Sequence, residues 1–375
     1  MTGAPRANLA FVGSFTTPER MARGRGITVC RIDPTSGAWT VVGETQGLDN
    51  PSFLIADAAG RTLYAAHGDR DYATAFAIDR RTGALTPLGS AATGGLNGVH
   101  QVIDPTGRFM IVANFTGGSL TVLPIRADGA LGDLVHRLDL AGPPGPHRIE
   151  QTSAHPHHLV FDPSRRFLLA PDKGLDRVFV LRFDAEHGRL ALADSGHAVM
   201  RPGAGPRHVV FHPTAPFAFV VNELDSTVAA CRWDAAAGVL APAFVVSSLP
   251  PDFFGETIAS AIVMSRDGRS LYASNRGQDG IVHLRFDERS GCLDVAGWTK
   301  SGRVPRFMTL SPAGDRLFVA NEQGDSIMEF DFDAAGALIP RGPVLDTPSP
   351  STIAFVGGGG SDRPPQRRLR SVRSR

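Results

Sequence analysis

The chain has 375 residues, 42% of them apolar or aromatic and 20% charged, which is ample for a packed core and unlike a disordered chain. Apolar runs such as Phe217 to Val221 are far too short for a membrane-spanning helix, which needs roughly 18 residues, and Met1 to Ala10 lacks the apolar stretch of a signal peptide, so a soluble cytoplasmic protein is expected. The net charge is +1, but Ser361 to Arg375 holds six Arg against one Asp, which leaves the body near −4 and without a nucleic-acid footprint. Residues 358–375 are expected to form a disordered Gly/Arg-rich tail beyond one domain spanning residues 1–357.

Read from the N-terminus, Leu9 to Gly13, Gly26 to Ile32 and Ala38 to Glu44 are three strand-like segments. A unit of fixed shape then recurs six times. Its central turn begins at Asp57, Asp104, Asp162, His212, Ser265 and Ser311, with spacings of 47, 58, 50, 53 and 46. A period near 50 without a helical pattern indicates propeller blades. In one unit, strand one is Val209 to Phe211, strand two Phe217 to Val221 and strand three Thr227 to Trp233, which turns through Asp234 to Gly238 into strand four. The Asp-x-x-x-Gly turn recurs at Asp33 to Gly37, Asp79 to Gly83 and Asp287 to Gly291 and supplies hairpin chemistry. The first three segments lack a strand one, which Ser351 to Phe355 can supply. The expected fold is therefore all-β, a seven-bladed β-propeller with four antiparallel strands per blade, closed by pairing its terminal strands in one blade. Closure covers an edge that would otherwise invite aggregation, and a monomer is expected.

Parity places the residue before strand one and the residue after the strand-two cap on the same face, beside the central channel. The first set is Ser52, Val99, His157, Arg207, Ser260 and Arg306; the second is Gly68, Phe115, Lys173, Glu223, Arg276 and Glu322. A scaffold needs no charge at these positions, yet His157, Arg207, Glu223 and Arg276 fall on three consecutive blades. The long segments Ser14 to Arg25, Gly142 to Pro156 and Leu249 to Ile258 open onto the same face, where long loops commonly carry function.

The segments Val112 to Ser119, Pro156-His-His, Pro171 to Val178, Gly205-Pro-Arg-His208, Val221 to Val228 and Ser274 to Gly277 together resemble the lactonase family of seven-bladed propellers, which includes 6-phosphogluconolactonases and carboxy-cis,cis-muconate cyclases. The resemblance runs to about Gly357. It implies a hydrolase of the pentose phosphate pathway, and it carries the family's active-site His, Arg, Glu and Arg onto His157, Arg207, Glu223 and Arg276. The chain departs from the family at Ala261 and Val263, where many members have polar channel residues, and at Arg266, which replaces a Pro.

Lactone hydrolysis needs an activated water, a donor for the developing oxyanion and groups that hold the substrate. His157 is the expected base, with Glu223 orienting it or serving as a second acid/base and Arg276 as a further catalytic group. Arg207, Arg276, His208, Arg306 and Lys173 are the expected substrate contacts. The same set would suit a cycloisomerisation with Arg-clamped carboxylates. Structural alternatives stand beside these roles: His157 as a strand cap, and Arg207 and Arg276 as salt-bridge partners of Glu223 between blades. A catalytically impaired propeller used as a binding platform is a further reading, although the Trp-Asp and Gly-His pairs of interaction propellers are missing. No cofactor or metal is expected, because His157 and His158 are adjacent strand residues that point to opposite sides, which separates the group His147, Glu150, His155, His157 and His158. Cys30, Cys231 and Cys292 have no metal-like spacing. The expected partner is a small acidic lactone or carboxylate, with no nucleic acid and no membrane.

Overall fold

The computed structural model describes residues 7–357, and the expected tail lies outside the described residues. Seven four-stranded antiparallel sheets form the blades. In each blade the first strand lines the channel and the fourth lies at the rim. Second strands such as Phe217–Asn222 are buried along their whole length, whereas fourth strands such as Val239–Ser247 are mostly exposed. This gradient explains why strand two reads as a continuous apolar run: both of its faces pack on neighbouring sheets.

Among the described residues the apolar core divides into seven clusters, one at each junction of adjacent blades. Cys30 and Cys231 belong to two of these seams, and burial pushes both thiols up to about 12, which leaves them inert packing groups. The turns follow the sequence reading. Asp57 Oδ1 accepts the backbone N–H of Arg61 and Thr62 at 2.6 and 2.9 Å, while Gly83 closes its hairpin with φ +87°, a conformation that suits glycine.

The ring closes as the terminal segments predict. The C-terminal strand Pro350–Gly357 pairs antiparallel with the N-terminal strand Ala7–Ser14 and becomes the inner strand of the first blade. Each blade still keeps the open outer edge of its fourth strand, so closure does not remove every edge. A bulge interrupts the pairing of strands three and four in six blades, and in the third blade the outer strand is only four residues, His136–Asp139. Both devices blunt an edge against pairing with another chain.

A second bulge matters more for function. Strand one pairs with strand two in a register that slips by one residue near the channel mouth, between Pro51 and Phe53, Gly98 and His100, Pro206 and His208, and Pro305 and Phe307. The extra residues are Ser52, Val99, Arg207 and Arg306. The same slip separates the Pro156–Asp172 bridge from the Val160–Leu169 pair, and it occurs between Ala259 and Ile262 in the sixth blade. A bulge re-aims its extra side chain. Here it turns one residue per blade toward the channel mouth. Proline precedes that residue at Pro51, Pro156, Pro206, Pro305 and Pro350, consistent with its confinement to strand starts and bulges.

A chain ending at Thr347 lacks the closing strand and uncovers Leu9, Ala10, Phe11 and Val12, all at most 1% exposed in the intact ring. It is expected to aggregate and to lose cooperative thermal unfolding, measured by size-exclusion chromatography and a melting curve beside a chain ending at Gly357. Equal solubility and equal Tm would show that closure is dispensable.

Candidate active site

Glu223 follows the second strand of the fifth blade and is fixed by its backbone on both sides. Its N–H donates to Gly205 O at 2.7 Å, and its carbonyl accepts Ala259 N–H from the sixth blade at 3.0 Å. Gly205 adopts φ +64°, and a Cβ there would come within 2.6 Å of Leu224 and 3.1 Å of Lys173. Glycine is thus required where this loop passes beneath the site.

Three cations surround the Glu223 carboxylate. Arg207 Nε lies 2.8 Å and Arg276 Nη2 3.1 Å from Oε2, and Lys173 Nζ donates to Oε1 at 3.1 Å. The Arg207 Nε–H is not aimed at the oxygen, so that contact is charge attraction rather than a formed hydrogen bond. Burial alone would raise the Glu223 pKa, but Arg276, Lys173 and Arg207 outweigh it and hold the carboxyl well below its usual range. Arg207 has the opposite balance: burial and then Arg276 lower its pKa, partly offset by Glu223. Its Nη1 donates to Ser260 O at 2.7 Å and to His208 Nε2 at 3.0 Å. The salt bridges between blades are therefore present, and they hold the guanidiniums at the channel mouth.

His157 sits on the fourth blade, its N–H bonded to Pro171 O at 3.0 Å. The imidazole is 7% exposed, and its Nδ1 is buried without a hydrogen-bond partner. No hydrogen bond joins it to Glu223 among the described residues, since the carboxylate is taken up by the cations. Burial, then Arg207, depresses its pKa well below the ordinary value, with Glu223 opposing. His157 is therefore neutral at pH 7, with a free ring nitrogen.

His157, Arg207, His208 and Arg306 wall one small cavity of about 30 Å³ that opens to solvent, together with Ser52, Val99, Phe15 and Arg20 among others. No Asp or Glu is part of this wall. Glu223, Arg276 and Lys173 do not line it. Lys173 is 4% exposed and bridges Glu223 to Glu150, 2.6 Å away on the inserted loop. Arg276 Nη2 also donates to Ala259 O at 3.0 Å, while its Nε is buried and unpaired. Arg306 bonds Glu322 at 3.2 Å. Sequence reasoning missed Arg20, which sits on the short 3-10 turn Pro18–Arg20 of the first inserted loop. The only signal for it was the length of that loop.

His157 and His158 do not point to opposite sides as expected, because the bulge breaks the alternation and both rings pack on His208, at 5.4 and 4.5 Å. His155 stacks on Phe115 with ring centroids 4.5 Å apart, His147 Nδ1 accepts the Glu150 N–H, and His158 faces the channel between His100 and His208, at 4.1 and 4.5 Å. Ala261 and Val263 pack in the seam with Met308 and Leu317 between the sixth and seventh blades. Ala261 is buried and Val263 partly buried, and neither is part of the cavity wall.

A family model described as "Lactonase, 7-bladed beta-propeller" matches residues 9–355. The chain belongs to this family. It is 30% identical to a 6-phosphogluconolactonase of Bacillus subtilis, over 93% of this chain and 98% of that one. A 6-phosphogluconolactonase of Formosa agariphila is also 30% identical, over 89% and 95% of the two chains. The solved structure of a periplasmic gluconolactonase from Pseudomonas aeruginosa superposes with TM-score 0.84 at 30% identity, covering 93% of this chain and 99% of that one. Among the described residues no helix is long and apolar enough to cross a membrane.

Two measurements test this electrostatic picture. Glu223→Gln leaves three buried cations without their shared anion and is expected to destabilise the fold by about 3 to 5 kcal/mol, read from urea unfolding; a loss below about 1 kcal/mol would show that the cations do not depend on it. The second concerns His100, His157, His158 and His208, whose pKa values burial depresses, that of His158 to about 3. An unfolded histidine titrates near 6.5. Below that pH the unfolded chain binds protons that the folded chain refuses, so stability is full above about pH 6.5 and falls as pH drops, by up to about 1.4 kcal/mol per unit for each histidine. His100→Gln should flatten this acid limb in unfolding curves at pH 7, 6 and 5, and an unchanged slope would refute the assignment.

Proposed function

We propose that this protein is a lactonase that hydrolyses a small acidic sugar lactone, most specifically 6-phosphogluconolactone, by general-base catalysis at His157. The observation that carries the reading is a neutral imidazole in a cavity wall with arginines and no carboxylate, whose Nδ1 is sealed in the protein and whose Nε2 has no hydrogen-bond partner among the described residues. Its family and its 30% identical relatives support it.

In the proposed step a water in the cavity attacks the lactone carbonyl while His157 takes its proton. Arg207 lies at the same wall and stabilises the tetrahedral oxyanion. Collapse breaks the ring C–O bond, and the His157 imidazolium returns its proton to the leaving alkoxide, giving the open hydroxy acid. His208 and Arg306 contact the substrate. Glu223 anchors Arg207 and Arg276, and Lys173 fixes Glu223 from behind; these are positioning roles. The cation set also favours a second reading, cycloisomerisation of a carboxylated muconate, in which the arginines clamp carboxylates and His157 moves a proton.

His157→Ala is expected to lower kcat for 6-phosphogluconolactone by about 10² to 10⁴-fold after correction for spontaneous hydrolysis. Because the His157 pKa is depressed, the base form persists, and kcat/KM should stay level from pH 7.5 to below about pH 6.5, the ordinary histidine value. Enzyme-dependent turnover that survives in His157→Ala would remove it as the base. Turnover of a carboxymuconate lactone in place of the sugar lactone would favour the second reading.

A further inference from the structure

The cavity wall carries a further guanidinium, Arg20, beside Arg306, and neither has a part in the chemical step. Arg20 and Arg306, from the first and seventh blades, both lie 4.8 Å from the Phe15 ring, measured from guanidinium carbon to ring centroid. Phe15, Arg20 and Arg306 wall the same cavity as His157. The loop that carries Arg20 is built with care. Asn50 Oδ1 accepts the N–H groups of Thr16 and Thr17 at 2.8 and 3.1 Å, and Asn50 Nδ2 donates to Gly68 O at 3.2 Å. Asp69 then holds the guanidinium through two hydrogen bonds, from Nε at 2.6 Å and Nη2 at 2.7 Å. Asp69 is itself oriented by an N–H bond to Asn97 Oδ1 at 2.9 Å, with φ +63°. Its carboxylate lies outside the cavity wall, as does that of Glu322, the partner of Arg306. Arg20 Nη1 and Arg306 Nε and Nη2 make no hydrogen bond to the described protein.

The chemistry of the substrate decides what these donors meet. A sugar lactone has its carboxyl group locked in the ring ester, so the end undergoing hydrolysis is uncharged before attack. With that carbonyl at His157 and Arg207, two further guanidiniums face only the distal substituent. An unphosphorylated sugar offers hydroxyls there. A phosphate ester offers three anionic or strongly accepting oxygens, the partner that planar N–H forks recognise best.

We propose that Arg20, with Arg306, forms a phosphate subsite that selects a phosphorylated sugar lactone over its unphosphorylated counterpart. This rests on the lactonase reading of the His157 cavity. It also separates two activities named among the relatives, since one is a 6-phosphogluconolactonase and another a gluconolactonase.

The test compares the intact protein with Arg20→Ala and Arg20→Lys. Turnover of 6-phosphogluconolactone and of glucono-δ-lactone is measured alongside calorimetric binding of the two hydrolysis products, 6-phosphogluconate and gluconate. Arg20→Ala should reduce the ratio of kcat/KM for the phosphorylated over the unphosphorylated lactone by about 10- to 100-fold, chiefly through KM. Binding of 6-phosphogluconate should weaken by a similar factor, and far more than binding of gluconate. Arg20→Lys, which keeps the charge but loses the fork, should fall between. An unchanged ratio, or a wild-type protein that binds gluconate as tightly as 6-phosphogluconate, would overturn the subsite. If the wild type turns over neither lactone, the lactonase reading fails, and the binding comparison still decides whether Arg20 recognises phosphate.

Discussion

The site depends on a one-residue slip in strand pairing. A regular inner strand would send alternate side chains into the two neighbouring seams and leave the channel mouth lined by backbone and small groups. The bulge near the start of strand one breaks that alternation once per blade, and the freed residue turns toward the axis. Its side chain costs the seams nothing, so this position tolerates Ser52, Val99, Arg207 and Arg306 alike. The residue after each second strand meets it across the same end of the blade. Seven repeats of a simple scaffold therefore provide a ring of positions whose chemistry can vary without disturbing the core.

That freedom has a limit set by electrostatics. Arg207, Arg276 and Lys173 crowd one end of the channel, where burial opposes each charge, and they are compatible there because Glu223 sits among them. Such a cluster is poor evidence for added stability, because desolvation consumes most of the attraction. What it supplies is placement. Arg207 is held at Nε and Nη1, and Arg276 at Nη2. Arg20 and Asp69, and Arg306 and Glu322, are further arginine–carboxylate pairs at the cavity. In every case the anchoring carboxylate stays out of the cavity wall, so the wall itself presents donors and not acceptors.

The blade count, the terminal closure and the face of the site were legible because they follow from local chemistry. Asp or Gly marks most turns, and the strand-two run marks each doubly packed strand. Parity brought His157, Arg207, Glu223 and Arg276 to one end of the channel. It failed where the backbone departs from regular alternation, as at His157 and His158. Ala261 is buried in the seam between the sixth and seventh blades, and Val263 is partly buried against it. The prolines one residue before the bulge were visible in five blades and would have located it. Parity also could not tell a cavity wall from the layer behind it, which is why Lys173 and Arg276 were expected as direct contacts. Arg20 lies in an insertion with no repeat to compare it against, and only the folded loop reveals its direction.

The electrostatics also narrow which group can move a proton. Glu223 is held as a carboxylate by three cations, so it is a feeble base and has no proton to donate. Its oxygens are occupied as well, and using one would release an arginine. Cys30 and Cys231 are buried in seams with thiols pushed far above neutrality, and Cys292 is not part of the cavity wall. His208 accepts from Arg207 through Nε2, which leaves its basic lone pair engaged. His157 combines a place on the cavity wall, a neutral ring and an Nε2 that nothing in the described protein occupies. The burial that keeps it neutral, reinforced by Arg207, would also make its imidazolium a strong acid. A base that is ready at neutral pH and quick to give its proton back is what ring opening requires, since the same group must serve the attacking water and then the departing alkoxide.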